Sequence, residues 1–254
     1  MPAPIELFYW PTPNGWKISI ALEEMGLPYV LRPVNIGARE QFTPEFLKIS
    51  PNNRMPAIVD PDGPGGAPIS VFESGAILQY LGRKTGLYYP TEPRAQVTVD
   101  EWLMWQMAGL GPMSGQASHF RLYAPTLVDD PIKLEYGQTR YTNEVNRLYG
   151  VMDRRLAEVP FLAGAYSIAD MASWPWVRGA ALFGQNLEEF PKLKAWYDTI
   201  AARPAVERGV KMGEELRKPL PTPGTAEAED LKKSLFQQTA GSTAADAATA
   251  AKQE

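Results

Sequence analysis

Ile5-Glu6-Leu7-Phe8-Tyr9-Trp10, followed by Thr12-Pro13-Asn14-Gly15, joins a strand to a helix and decides how the N-terminal part of the chain is built. The first six residues are rich in aromatic and aliphatic side chains, as a strand requires. Downstream, Ile18, Leu22 and Met25 recur at helical spacing as far as Gly26, a natural stop. Thr12 is the predicted N-cap, with Pro13 at the first helical position, where its missing N–H costs nothing. A helix start carries unpaired N–H groups and partial positive charge, so an anion is favoured beside it. Thr12 and Asn14 add a hydroxyl and an amide donor at the same spot.

Composition narrows what that anion can be. The 254 residues hold one large or two small domains with a real core. The net charge of −4, with no basic block, excludes nucleic acid as an expected partner. Cysteine is absent, so thiol chemistry would need a borrowed thiol. A single histidine, His119, argues against a histidine metal site or a serine–histidine triad, and no metal is expected. Met1-Pro2-Ala3-Pro4 lacks the basic and apolar regions of a signal peptide, and no apolar run reaches membrane-spanning length. The expectation is a soluble cytoplasmic protein with no membrane partner.

Residues 5–87 alternate strand and helix. Tyr29 to Val34 reads as a second strand and Pro44 to Leu47 as a short helix. Ala57 to Asp60 and Ile69 to Phe72 flank a Gly/Pro-rich turn and read as a hairpin. Ser74 can cap a helix ending near Gly86. From about residue 95 to 217 the pattern is helical. Asp100 to His119 reads as one helix kinked at Gly111-Pro112, and 132–158 as a long amphipathic helix. Ser167-Ile168-Ala169-Asp170 is a capping box opening a helix apolar nearly all round. Two shorter helices are expected near 191–202 and 205–217. The 218–254 tail is rich in Pro, Ala and Thr and is expected to be largely disordered, with Leu231, Leu235 and Phe236 able to form a docking turn or two.

Two further motifs join the opening one. In Asn53-Arg54-Met55-Pro56-Ala57 a proline immediately precedes a strand, and a cis Met55–Pro56 bond would leave the Met55 backbone as a free strand edge. Glu73-Ser74-Gly75-Ala76 sets an acidic residue and a hydroxyl at another helix start, suited to an ammonium and a carboxylate together. An ordinary helix cap explains either helix start taken alone.

Taken in order with the capping box, these motifs resemble the glutathione transferase superfamily across residues 5–217. The resemblance implies a glutathione transferase fold: an α/β thioredoxin-like N-terminal domain (βαβαββα; 1–87) that binds glutathione, and an all-α C-terminal domain (95–217), in a homodimer. Thr12-Pro13-Asn14-Gly15, Ser50-Pro51-Asn52-Asn53, Phe72-Glu73-Ser74-Gly75 and Gly109-Leu110-Gly111-Pro112-Met113 look like the bacterial Nu class, which includes disulfide-bond reductases. The Asn-rich segment of that class's yeast prion relative is missing, so a prion role does not transfer.

Residue by residue, the resemblance assigns Thr12 and Asn14 to the glutathione sulfur as catalytic donors. It pairs the Met55 backbone, before Pro56, with the cysteinyl part. It gives Glu73 and Ser74 the γ-glutamyl ammonium and carboxylate, Gln41 the glycyl end, and Arg140 a role across the dimer interface. Trp10, Met113, His119 and Phe120 could line a second-substrate pocket, although a lone histidine is more often structural. Tyr9 and the Trp174-Pro175-Trp176 cluster read as core.

A free thiol near pKa ~8.5 is about 3% thiolate at neutral pH. Lowering it by roughly two units needs about 2.7 kcal/mol, within reach of one or two hydrogen bonds to a charged acceptor. Three functions stay open: glutathione-dependent disulfide reduction, attack of the same thiolate on carbon (conjugation or aromatic ether cleavage), and a non-catalytic binding homodimer. One glutathione, two, or the disulfide could occupy the site.

Overall fold

The computed structural model describes residues 3–128, 130–217, 225–236 and 238–241. β1 (Ile5–Tyr9) buries Ile5, Leu7 and Tyr9 and leaves Glu6 and Phe8 half-buried. It lies inside a four-stranded sheet ordered β2–β1–β3–β4, with β2 at Tyr29–Pro33, β3 at Ala57–Asp60 and β4 at Ile69–Phe72. β2 is parallel to β1, whereas β3 and β4 each run antiparallel to their neighbours, so Leu7 faces Leu31 on one side and Ile58 on the other.

The parallel pair needs a crossover, supplied by α1 (Pro13–Met25). Thr12 is its N-cap, accepting from the Gly15 N–H at 3.4 Å, and Gly26 ends it at φ 64° with its N–H on the Leu22 and Glu23 carbonyls. A Cβ at position 15 would collide with the Trp10 carbonyl oxygen and the Tyr9 ring, so only glycine lets helix follow strand so abruptly. α2 (Pro44–Ile49) is capped by Thr43, and α3 (Ser74–Thr85) ends at Gly86. The order is the thioredoxin-like βαβαββα.

The helical half opens with α4 (Pro93–Trp105) and α5 (Gly111–Ser118), where the sequence predicted one kinked helix. The interruption is a π-helical turn at Gln106–Leu110, and a second follows at His119–Tyr123. Pro112 has no N–H for the preceding turn, which accounts for the first loosening. α6 (Ile132–Leu156) is the long helix. α7 (Ile168–Arg178) is buried from Ile168 to Val177, consistent with its apolar pattern. Its capping box is formed: Asp170, fully buried, accepts from Ser167 N (3.0 Å), Leu162 N (3.0 Å) and Trp196 Nε1 (2.9 Å). Burial pushes that carboxyl up to about 6 while the hydrogen bonds pull it down. α8 (Pro191–Ala201) and α9 (Pro204–Lys211) follow.

The halves are tied through α1. Glu24, its side chain 4% exposed, takes a two-pronged ion pair from Arg203 (2.6 and 2.8 Å) and a hydrogen bond from Tyr166 (3.2 Å). Ser19 donates to the Gly209 carbonyl at 2.7 Å, and Tyr9 to the Met212 carbonyl at 3.0 Å. α10 (Ala226–Phe236) is longer than the turn or two expected there, while 218–224 and 242–254 lie outside the described residues. α10 docks across both halves: Ser234 donates to the Ile36 carbonyl at 2.6 Å, and Phe236 packs 4.8 Å from the His119 ring and 4.9 Å from that of Tyr123.

Candidate active site

Four chain segments converge where α1 and α3 both begin. They enclose a cleft of about 250 Å³ whose walls include Asn14, Met55, Pro56, Glu73, Ser74 and Met107. Thr12 adjoins it, its hydroxyl 3.9 Å from the Met55 sulfur. The hydroxyl caps α1 with a lone pair and donates its proton to that sulfur, a weak acceptor. No described residue bonds the Asn14 amide, which faces the cleft.

The Met55–Pro56 bond is cis. Among the described residues Met55 makes no backbone hydrogen bond outside the sheet ladders, which leaves its N–H and C=O available to an extended peptide. Ser50 shapes this loop by donating to the Arg54 carbonyl at 2.8 Å.

At α3 the structure corrects the sequence reading. Glu73, not Ser74, holds the N-cap position, with φ 69° and no side-chain cap bond. Such a backbone costs about 1–3 kcal/mol for a non-glycine residue and recurs where ligands are clamped. Ser74 is the first helical residue, 4% exposed, and the helix start is left without a side-chain acceptor. Its hydroxyl accepts from Lys17 Nζ at 3.2 Å and donates to the Met107 sulfur at 3.5 Å. Asn52 reaches the Glu73 carboxylate at 3.5 Å.

The other assigned residues lie off this cleft. Gln41 is 2% exposed beneath α10, donating to the Ile36 carbonyl (3.4 Å) and Ser234 Oγ (3.5 Å), with its own carbonyl oxygen unpartnered. Arg140 is exposed on α6 and pairs with Glu144 at 3.5 Å. Trp10 and Met113 are half-buried. His119 sits against Phe120 (5.5 Å), Tyr123 and Phe236, and burial pushes its pKa down, while Phe120 stacks on Tyr141 at 5.3 Å. Tyr9 is fully buried with its hydroxyl pushed up to about 12 by burial, a core residue as read.

Sequence reasoning gives no site role to Lys17, Met107 or Phe236. Lys17 falls in the polar gaps of an amphipathic helix. Met107 arrives through a π-helical turn that periodicity does not signal. Phe236 was read as a docking residue without a target. Among the described residues no group of acidic or histidine side chains could hold a metal, and no helix is long and apolar enough to cross a membrane.

The chain matches the family models described as glutathione S-transferase, N-terminal domain, over residues 3–83, and glutathione S-transferase, C-terminal domain, over residues 123–204. It is 46% identical over 216 residues to the disulfide-bond oxidoreductase YfcG of Escherichia coli K12, spanning 83% of this chain and 98% of the relative. A glutathione transferase from Pseudomonas putida, solved with one glutathione disulfide per subunit, is similar at TM-score 0.76 and 42% identity, over 82% of this chain and 91% of its own. Another, from Pseudomonas fluorescens and solved with two glutathione bound, is similar at TM-score 0.75 and 44% identity, over 81% and 92%.

Proposed function

The chain belongs to the glutathione S-transferase family, and on that premise we propose that it is a glutathione-dependent thiol–disulfide oxidoreductase of the Nu class. The observation that carries the reading is the pair of donors at the start of α1, Thr12 turned only to the weak acceptor sulfur of Met55 and Asn14 without a partner among the described residues, in a chain with no cysteine. Such donors stabilise a thiolate, and the thiolate has to come from the ligand. The remaining features fit the tripeptide. The free Met55 backbone suits its cysteinyl unit, and Glu73 and Ser74 suit the γ-glutamyl ammonium and carboxylate. Gln41 is proposed for the glycyl end, reached once α10 yields its hydrogen bond.

In the proposed reaction the glutathione thiolate attacks one sulfur of a disulfide. A mixed disulfide forms, and the other sulfur leaves as a thiolate that takes a proton. A second glutathione thiolate resolves the mixed disulfide, leaving glutathione disulfide and a second thiol. The protein supplies donors and placement, with no redox atom of its own. The relative named a disulfide-bond oxidoreductase and the neighbour holding glutathione disulfide support sulfur over carbon as the partner.

The reading includes a cytoplasmic setting, where glutathione is the reducing pool, and the division 1–87, 95–217 and 218–254. It also includes a homodimer. Ile132 (79% exposed) and Tyr136 (80%) share one face of α6 with Arg140, at successive four-residue steps. Apolar side chains so exposed beside an arginine suit an interface that would carry Arg140 toward a partner's cleft. Trp10, Met113, His119 and Phe120 are proposed for the second substrate.

Turnover of hydroxyethyl disulfide with glutathione, followed beside an aryl halide and a β-aryl ether, tests the proposal. Faster turnover of the disulfide is expected. Faster attack at carbon, or no turnover with any of them, would overturn it.

A further inference from the structure

Three residues beyond Asn14, on the same face of α1, lies Lys17, only 1% exposed. Its three ammonium protons meet neutral acceptors: Gln106 Oε1 at 2.7 Å, Ser74 Oγ at 3.2 Å and the Met107 sulfur at 3.3 Å. Among the described residues no carboxylate lies within ion-pair distance of it. Glu73, at the start of α3, is the ionisable group that favours its charge from further off, whereas Ser74, Gln106 and Met107 carry none. A buried cation held this way is costly, and burial pushes its pKa down to about 7.

The position of the ammonium gives that cost a purpose. It lies behind Ser74, at the positive end of α3, where the first turn has no side-chain acceptor. A helix N-terminus and an ammonium aimed at one point repel each other until an anion arrives. Lys17 also sets the polarity of Ser74: with a lone pair occupied by Nζ, the hydroxyl proton points away, toward the sulfur of Met107 or toward an incoming acceptor.

We propose that Lys17 is a positioning residue for the substrate's α-carboxylate at the start of α3, serving as its buried counter-ion and fixing Ser74 as donor. The proposal rests on the reading of Glu73 and Ser74 as the γ-glutamyl site. One face of α1 then spans the ligand, with Asn14 toward the sulfur and Lys17 toward the carboxylate. A purely structural lysine, joining α1 to α3 and the π-helical turn, would be indifferent to whether a ligand brings a carboxylate.

Binding of S-methylglutathione is compared with binding of its analogue in which 4-aminobutyryl replaces γ-glutamyl, removing only the α-carboxylate. Wild type and Lys17→Met are measured by calorimetry in two buffers of different ionisation enthalpy. Wild type is expected to prefer the carboxylate ligand by about 10- to 150-fold, the range of a charged hydrogen bond. Lys17→Met is expected to lose at least tenfold of that preference. At pH 7.5 wild type should take up protons with S-methylglutathione and not with the analogue, a readout that stands even if the variant does not fold. Discrimination by wild type without proton uptake, or kept intact in Lys17→Met, would overturn the role of Lys17 and leave the γ-glutamyl site standing. No discrimination by wild type would overturn that site itself.

Discussion

The polar side of the molecule that holds the cleft and the aromatic side that lies off it are made in opposite ways. The polar side uses helix starts and a strand edge: Thr12 and Asn14 on α1, Met55 before β3, and Glu73 and Ser74 at α3. Its donors are backbone groups and short side chains, each placed by a few adjacent residues. The aromatic side, formed by His119, Phe120, Tyr123, Tyr141 and Phe236, is assembled from a π-helical turn, α6 and α10. It carries few directional groups and depends on packing between segments far apart in sequence. The first construction suits the site proposed for one invariant tripeptide, and the second suits the place proposed for a varied second substrate.

Asn14→Ala should break this contrast most strongly. Removing one donor to a charged sulfur costs about 1.5–3 kcal/mol, so kcat/KM for disulfide reduction should fall by about 10- to 150-fold. Affinity for S-methylglutathione, which carries no thiolate, should change by less than about threefold. Equal losses in both would mean that Asn14 serves binding alone.

Phe236→Ala is the matching cut on the aromatic side. Losing part of a ring's apolar surface, about 1 kcal/mol, should raise KM for an aryl disulfide by about fivefold and leave S-methylglutathione affinity within about twofold. A larger effect on glutathione than on the disulfide would show that α10 acts on the polar side through Gln41.

A smaller, pH-dependent effect sharpens the electrostatics. The Lys17 ammonium is held down to about 7, and a bound carboxylate favours its charged form, so binding is tightest below that value. S-methylglutathione affinity should weaken by about threefold to tenfold between pH 6 and 8, and Lys17→Met should flatten the profile. Without ligand the sign reverses. The desolvation penalty is fully present below about 7 and is relieved as pH rises, so wild-type stability should gain on the variant above it.

What was legible in the sequence follows the same divide. The Thr12 cap, the stop at Gly26, the β3–β4 hairpin and the Ser167–Asp170 capping box are local, written within four or five residues, and each stands where its motif placed it. Ser74 slipped by one position because a positive φ at a glutamate is invisible to capping preference. Lys17 was passed over because its partners, Gln106 and Met107, lie 89 and 90 residues away on a turn whose period no helical pattern encodes. α10 was expected to dock, but its target needed the three-dimensional position of His119.

The central claim is that the start of α1 stabilises a thiolate borrowed from glutathione. The most direct measurement is the pKa of the bound glutathione thiol, read from the ultraviolet absorbance of the thiolate as pH is raised. In wild type it should fall to ~6.5, roughly two units below the ordinary ~8.5, and in Asn14→Ala it should climb back by at least about one unit. A bound thiol that titrates near ~8.5 in the wild-type protein would contradict the account.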